Sequence, residues 1–436
     1  MRSLTFAVSI SVCAVIAHSS PALAQEWGQD ETVIVPRAVE LDYDRGRNVS
    51  VTERPRPDYE PQGIRTGGFL VYPRIEAGLG YTDNAFRTET DEKSDGYASF
   101  SPSVMARSDW SRHAIQLGAG GRFRRYFDST ARNEDGFYVN GLGRADLGES
   151  LAITAEGRAG RIYESPFTAG TDAALVGISS YDYNLESLRA ALTLNRNKIS
   201  LGYSRSEYDF NRIDVGSSTF IDQSDRDRVI DSVVGQVEHA ISPDTALFGQ
   251  LSYAHTDYDR PLLTGAANRD SDGYRVLAGV HMDLSALLRG SIGVGYTWRS
   301  FDDPVYSDVD GFSAEATIEY FASALTTVSL GARRVLEDSN FATIGAYFDN
   351  RAIVRVDHEL LQNLILDASA SYARQNYIAS ARKNDVFQGS AGARYLMTRN
   401  LESRFDATYS NRKRGGPDYD GDLDEFRVAA SMILKY

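Results

Sequence analysis

The chain has 436 residues, a formal net charge of -14 and one cysteine, Cys13. The acidic balance excludes a nucleic-acid-binding protein, which needs a basic face, and the cysteine count excludes a disulfide-stapled fold. No stretch reaches the roughly 18 uninterrupted apolar residues of a helical membrane span, so a membrane location requires a β-barrel.

Residues 1–24 have the three parts of a secretory signal. Arg2 supplies the charged start, Leu4 to Ala17 form a short apolar run, and Ala22-Leu23-Ala24 form a small-residue cleavage site. We therefore expect an exported protein whose mature chain begins at Gln25.

Residues 25–66 lack sustained periodicity and contain Pro36, Pro55, Pro57 and Pro61 among charged residues. This composition predicts a disordered arm in the periplasm. The apolar stretch Thr32-Val33-Ile34-Val35 has two interpretations, a loose linker or a segment that docks on a partner or plugs the barrel.

Residues 67–436 alternate between apolar and polar side chains with a period of two, which is typical of strands with two different faces. Leu364, Leu366 and Ala368, for example, alternate with Asp367 and Ser369. The connections alternate between tight turns and long polar loops, the rhythm of a transmembrane barrel with short periplasmic turns and long extracellular loops. The pattern predicts an all-β fold, a transmembrane antiparallel up-and-down β-barrel of about 18 strands in the outer membrane of a Gram-negative bacterium.

Charged residues of both signs recur on the face predicted to point inward. The candidate lumen-lining residues are Arg122, Arg124, Arg144, Asp146, Glu156, Arg158, Arg355, Asp357, Glu402, Arg404 and Asp406. They have two interpretations: cross-strand ladders that stiffen the wall, or a lining that selects anionic or hydroxyl-rich solutes through arginine donors.

The last strand places Phe426 and the terminal Tyr436 on its apolar face. An aromatic terminus of this kind resembles the signal by which outer-membrane barrels are recognised, so we expect the barrel assembly machinery as a partner. Outer-membrane lipid and lipopolysaccharide are further expected partners.

Catalytic motifs are missing from the sequence, which contains no HExxH, GxSxG or Cys/His cluster. We therefore predict no enzyme activity, no cofactor and no catalytic metal. The acidic runs Thr88 to Asp95 and Asp222 to Asp227 could hold divalent cations that bridge lipopolysaccharide, or be solvated loops.

The junction between arm and barrel reads Val51-Thr52-Glu53-Arg54-Pro55-Arg56-Pro57-Asp58-Tyr59, then Gly63-Ile64-Arg65 and Gly67-Gly68-Phe69-Leu70-Val71-Tyr72-Pro73. With Tyr81-Thr82-Asp83-Asn84, it resembles the putative β-barrel porin 2 family. The resemblance implies an outer-membrane barrel that accompanies exopolysaccharide synthesis and export, with a short periplasmic polysaccharide export protein as partner.

Three functions are compatible with these observations. The first is a conduit that exports an exopolysaccharide or capsular polysaccharide. The second is a general or substrate-selective diffusion porin for small solutes, and the third is a structural or adhesive barrel whose loops carry the function.

Overall fold

The structure, a computed structural model, describes residues 49–167, 177–216, 219–284, 287–339, 341, 343–416 and 421–436. The predicted signal sequence, residues 25–48 of the predicted arm and the stretch Thr32–Val35 lie outside the described residues. No helix in the described ranges is long and apolar enough to cross a membrane.

Eighteen long strands follow one another along the described chain, and each pairs with its sequence neighbours in antiparallel fashion. They are β1 Phe69–Thr82, β2 Asp95–Ser108, β3 Ala114–Tyr126, β4 Glu134–Leu147, β5 Leu151–Tyr163, β6 Ser180–Leu194, β7 Asn197–Phe210, β8 Arg228–Ser242, β9 Thr245–Tyr258, β10 Ser271–Leu284, β11 Leu288–Phe301, β12 Val309–Ser323, β13 Thr326–Asp338, β14 Ala346–Leu361, β15 Leu364–Tyr377, β16 Lys383–Leu396, β17 Leu401–Gly415 and β18 Gly421–Lys435.

The sheet closes on itself because β1 pairs with β18 as well as with β2. The closing register sets Arg74 opposite Lys435 and Thr82 opposite Arg427. Closure removes the free edges that would otherwise present unpaired backbone groups. The predicted antiparallel up-and-down barrel of about 18 strands is thereby confirmed.

Exposure along the strands is inverted relative to a soluble protein. In β9, Leu247 and Leu251 are 50% and 57% exposed, whereas the alternating residues Gln250 and Ser252 are buried. Successive side chains of a strand point to opposite faces, so the apolar residues face outward and the polar residues face the lumen. This is the arrangement of a barrel surrounded by lipid.

The two ends of the cylinder differ in the length of their connections. At the end we call the turn end, β6 and β7 are joined only by Asn195 and Arg196, and Asn195 has a left-handed φ of 53°, which asparagine tolerates better than most residues. At the opposite loop end, residues 164–179 join β5 to β6 and residues 211–227 join β7 to β8. The second of these loops contains a small hairpin, in which Ile213–Gly216 pairs with Thr219–Ile221.

Candidate transport lumen

All of the predicted lumen-lining residues lie on strands and share the polar face. Arg122 and Arg124 lie on β3, Arg144 and Asp146 on β4, Glu156 and Arg158 on β5, Arg355 and Asp357 on β14, and Glu402, Arg404 and Asp406 on β17. Their place on the inner wall follows from the alternation, since the residues between them, such as Leu117, Val354 and Phe405, are the exposed apolar ones.

Most of these residues pair along their own strand. Arg144 Nε lies 2.9 Å from Asp146, Arg158 contacts Glu156, and Arg355 and Arg404 each lie 2.9 Å from the aspartate two positions later, Asp357 and Asp406. Cross-strand partners also occur, since Arg124 binds Glu134 at 2.8 Å and Glu402 binds Lys435 at 2.9 Å. The structure therefore mixes pairs along one strand with the cross-strand ladders that the sequence predicts.

A second charged patch covers the inner wall from β8 to β14 near the loop end. Arg333 Nη2 lies 2.8 Å from Asp349, and Arg275 binds Glu315. Asp338 accepts from the Tyr258 hydroxyl and has Arg228 Nε at 3.5 Å. Among the described residues the patch sets six arginines against four carboxylates: Arg228, Arg269, Arg275, Arg299, Arg333 and Arg351 against Glu315, Glu337, Asp338 and Asp349. We call this set the arginine patch.

The arginine patch is buried and positively charged. Arg269 lies in the loop between β9 and β10, and burial together with the nearby Arg228 lowers its pKa to about 10. It is therefore still cationic at neutral pH. Arg299 donates from Nε and Nη2 to Ser271 Oγ at 2.8 and 2.6 Å, and its Nη1 lies 3.8 Å from Asp338 Oδ1. Sequence alternation identified charged inner positions but could not single out this patch.

The loop between β5 and β6, residues 164–179, reaches the opposite wall of the barrel. Phe167 is 2% exposed and packs against Ala373, Val386 and Leu423 of β15, β16 and β18. The Pro166 carbonyl accepts from Arg412 Nη1 of β17 at 2.9 Å. The loop starts on β5, so these contacts carry the chain across the lumen, and we call it the crossing loop. Residues 168–176 are outside the described chain.

Neighbouring loops hold the base of the crossing loop. Arg226 binds Glu164 through two nitrogens, at 2.6 and 3.0 Å. Arg132 Nη1 donates to the Gly177 carbonyl at 3.3 Å, and burial and the nearby Arg87 lower the Arg132 pKa to about 10. A bidentate arginine–carboxylate pair fixes orientation as well as position. The crossing loop is thus attached at its base and at Pro166 and Phe167.

At the turn end, residues 50–60 lie inside the barrel, and we call them the N-terminal strap. Arg54 and Arg56 both bind Glu359 of β14, at 3.0 and 2.7 Å. Glu53 binds Arg289 of β11 at 2.8 Å, and the Val51 amide donates to Thr327 Oγ1 of β13 at 3.0 Å.

Apolar contacts complete the attachment of the strap. The Val51 side chain is 1% exposed, against Ile365 and Leu396. The strap therefore contacts the inner wall from β11 to β16, a third of the circumference. The chain then leaves through Ile64–Thr66, which pairs with the first residues of β1. The prolines and charged residues of the strap do not by themselves predict these contacts.

Aromatic residues of the barrel wall divide between the two faces. Tyr126 and Tyr208 are buried on the inner side with other tyrosines, and Phe248 stacks on His281 at 4.4 Å. Tyr138 is also on the inner face, while Tyr274 points outward beside Tyr253 and Trp298. Phe426 and Tyr436 point outward, at 41% and 58% exposure, and their role in assembly stays a prediction.

Solved structures with a similar fold are outer-membrane proteins of low sequence identity. The outer membrane protein OpdK of Pseudomonas aeruginosa matches with 11% identity over 84% of this chain and 98% of its own, with a TM-score of 0.44. OccK2 (OpdF) of the same organism, in complex with glucuronate, has 11% identity, coverages of 86% and 100%, and a TM-score of 0.46. A BenF-like porin from Pseudomonas fluorescens Pf-5 has 10% identity, coverages of 85% and 99%, and a TM-score of 0.46.

No protein of curated function matches the chain. The family model for putative beta-barrel porin 2, in contrast, matches residues 56–436, from the N-terminal strap to the last residue. The resemblance at the junction of arm and barrel is thereby confirmed, and this outer-membrane β-barrel belongs to the putative beta-barrel porin 2 family.

Proposed function

We propose that this barrel is a substrate-selective channel that passes small anionic solutes across the outer membrane. The observation that carries the proposal is the arginine patch beside the crossing loop. A lumen narrowed by a loop brings a solute close to the wall, and the excess positive charge of the buried arginines attracts anions to that part of the wall. The porin family description supports a channel rather than an enzyme.

The size of the cargo is limited by two obstructions in series. The crossing loop spans the lumen near the loop end, and the N-terminal strap covers a third of the wall at the turn end. Both favour a small solute over a polymer chain. The export of a polysaccharide stays a prediction from the family resemblance, and no contact described above favours it or the adhesive barrel.

Planar-bilayer recording tests the proposal. In a salt gradient the wild-type channel should show a reversal potential of the sign expected for anion selectivity. Replacing Arg275 and Arg333 by glutamine should lower the anion-to-cation permeability ratio at least about fivefold, since each of the two unit charges removed is worth about 1 kcal/mol at close range in water. Heat-dependent migration in electrophoresis checks that the variant still forms a barrel.

A matched control is available on the outer face. Arg205 and Arg374 are outward-facing arginines at similar height, and replacing both by glutamine should leave the reversal potential unchanged. Steady wild-type conductance without anion preference would contradict the proposal. So would an equal loss of selectivity in the control variant.

A further inference from the structure

Six hairpins carry a basic residue paired with an aspartate on the outer face, just below the loop end. The pairs are Arg125–Asp135, Arg161–Asp182, Arg205–Asp231, His255–Asp272, Arg374–Asp385 and Lys413–Asp422. We call them the outer pairs. The basic member lies on the strand that enters the loop and the acidic member on the strand that leaves it, so the arrangement recurs around much of the cylinder.

The pairing geometry is nearly constant from hairpin to hairpin. In five of the six, register sets the two residues directly opposite each other. The closest nitrogen–oxygen distances in these five are 2.7 Å for Arg161 and Arg374, 2.9 Å for Arg205, 3.0 Å for His255 and 3.5 Å for Lys413.

Three of the outer pairs share their aspartate with a tyrosine on the same face. The hydroxyls of Tyr203 and Tyr253 lie 2.6 Å from Asp231 and Asp272, and the Tyr372 hydroxyl lies 2.5 Å from Asp385. In each case the tyrosine precedes the basic residue by two positions, so it lies on the side toward the apolar band. A fourth tyrosine, Tyr296, donates to Asp310 in a hairpin that lacks the basic residue.

The tyrosines fix the depth of the outer pairs in the membrane. Outward-facing tyrosines with polar hydroxyls mark the boundary between hydrocarbon and headgroups. Two residues along a strand advance about 7 Å, which sets the basic side chains among the headgroups. They are not hidden there: the Arg205, Arg374 and Lys413 side chains are 43%, 52% and 65% exposed.

The chemistry of these side chains suits phosphate. A guanidinium has five donors in a planar fork. Arg161 and Arg374 each bind their aspartate through Nε and Nη2, which leaves Nη1 for a second anion, whereas Arg205 also has Glu207 at 3.4 Å. The aspartate holds the guanidinium against the wall in a defined orientation, which lowers the entropy lost when a ligand binds. Recurring cations at headgroup depth on a lipid-facing wall meet phosphates, the anionic groups of the surrounding lipid.

We propose that the outer pairs bind the phosphate groups of outer-leaflet glycolipid headgroups and thereby attach a ring of lipid to the barrel. This binding site faces away from the lumen and is independent of the proposed transport function. The occupant is a membrane lipid, because the site borders the apolar band; a free phosphate would contact only the upper edge of the ring.

Thermal unfolding of the detergent-purified protein tests the proposal without any variant. Bisphosphoryl lipid A should raise the unfolding midpoint, whereas dephosphorylated lipid A with the same acyl chains and inorganic phosphate at equal concentration should not. An equal rise with dephosphorylated lipid A would overturn the proposal in favour of acyl-chain contact. An equal rise with inorganic phosphate would overturn it in favour of simple anion binding.

A variant set then assigns the binding to these residues. The triple variant Arg205→Gln, Arg374→Gln, Lys413→Gln should bind bisphosphoryl lipid A at least about tenfold more weakly than the wild type in native mass spectrometry. The reason is that each lost charge-assisted hydrogen bond contributes substantially to the free energy of binding. The control triple variant Arg122→Gln, Arg144→Gln, Arg158→Gln removes the same charge from the inner face and should bind as the wild type does. Equal affinities of the two triple variants for bisphosphoryl lipid A would refute the assignment. The triple variant of the outer pairs should also keep the ion selectivity of the wild type, so that its loss of lipid binding can be distinguished from a failure of the transport proposal.

Discussion

Arg56 Nη2 lies 2.7 Å from Oε2 of Glu359, an ion pair between residues 303 positions apart in the chain. Both side chains are more than nine-tenths buried. The pair ties the N-terminal strap to the last residues of β14 at the turn end, beside the second pair from Arg54. Two arginines of the strap therefore share one carboxylate, which a substitution can neutralise.

Replacing Glu359 by glutamine should loosen the strap. The substitution leaves Arg54 and Arg56 without a counter-charge, and breaking a buried pair costs on the order of 3 kcal/mol. We expect larger or more frequent open states in planar-bilayer recordings and faster protease cleavage within residues 50–60. Glu402→Gln is the matched control, because Glu402 is an equally buried inner carboxylate paired with Lys435 rather than with the strap. Identical recordings from the two variants would show that the strap does not restrict the channel.

Replacing Phe167 by alanine should release the crossing loop from the wall formed by β15, β16 and β18. Removing a buried phenylalanine costs about 3–5 kcal/mol in a packed core, and Phe167 supplies the described apolar contact between this loop and the far wall. The expected result is noisier, higher conductance with little change in the unfolding midpoint, because the strands stay paired. Phe127→Ala, at a loop residue that is 62% exposed, should leave the current unchanged.

Loop stability should depend on pH through Asp227. Burial, the neighbouring Asp209 and the nearby Asp259 raise the Asp227 pKa above 3.8, against the opposing hydrogen bond from the Phe210 amide. A carboxyl with a raised pKa binds more protons in the folded state, so its contribution is most favourable at acidic pH and is lost as the pH rises through the folded pKa. The protection factors of residues 219–227 against hydrogen exchange should therefore fall between pH 4 and pH 7, and Asp227→Asn should remove most of that fall.

Asp222 in the same loop supplies a control of opposite sign. Hydrogen bonds from Ser224 lower the Asp222 pKa, so this group stabilises the loop above 3.8 and loses its contribution as the pH falls through the folded pKa. Asp222→Asn should therefore leave the fall in protection factors between acidic and neutral pH in place or enlarge it. The same response from both variants would contradict the assignment.

Adding a methyl group at Gly295 should destabilise the barrel. A Cβ built on Gly295 of β11 would lie 1.8 Å from the Val276 carbonyl oxygen of β10, backbone that cannot move aside cheaply. Overpacking of this kind costs about 1–3 kcal/mol. Gly295→Ala should lower the urea midpoint of unfolding in lipid, whereas Gly249→Ala, where no heavy atom lies within 4 Å of the added Cβ, should not.

The strands and their faces could be predicted because a barrel wall imposes a period of two on the sequence. Arg122 and Arg124 on β3 and Arg404 and Asp406 on β17 were placed by that period alone. The strap and the crossing loop follow no period. Contacts such as Arg56 with Glu359 and Phe167 with Leu423 join distant parts of the chain, and irregular segments carry no local signal for their partners.

The arginine patch lies between these two cases. The alternation predicts that Arg275, Arg299 and Arg333 lie on the inner wall, but it does not distinguish them from the other charged residues of that wall. Their concentration near one end depends on how neighbouring strands are staggered, and a shift of one residue in pairing would turn each side chain to the lipid. The registers of the strand pairs, rather than the residue types, determine which charged side chains come into contact.

A wide cylinder one sheet thick resists stretching along its strands far better than it resists flattening. Through Phe167 the crossing loop joins the end of β5 to β15, β16 and β18, which lie five to eight strands away around the closed sheet, and so acts as a strut across the section. Its length and its two anchorages then set how round the section can be. The shape of the passage would accordingly be governed by a loop rather than by the strands that enclose it.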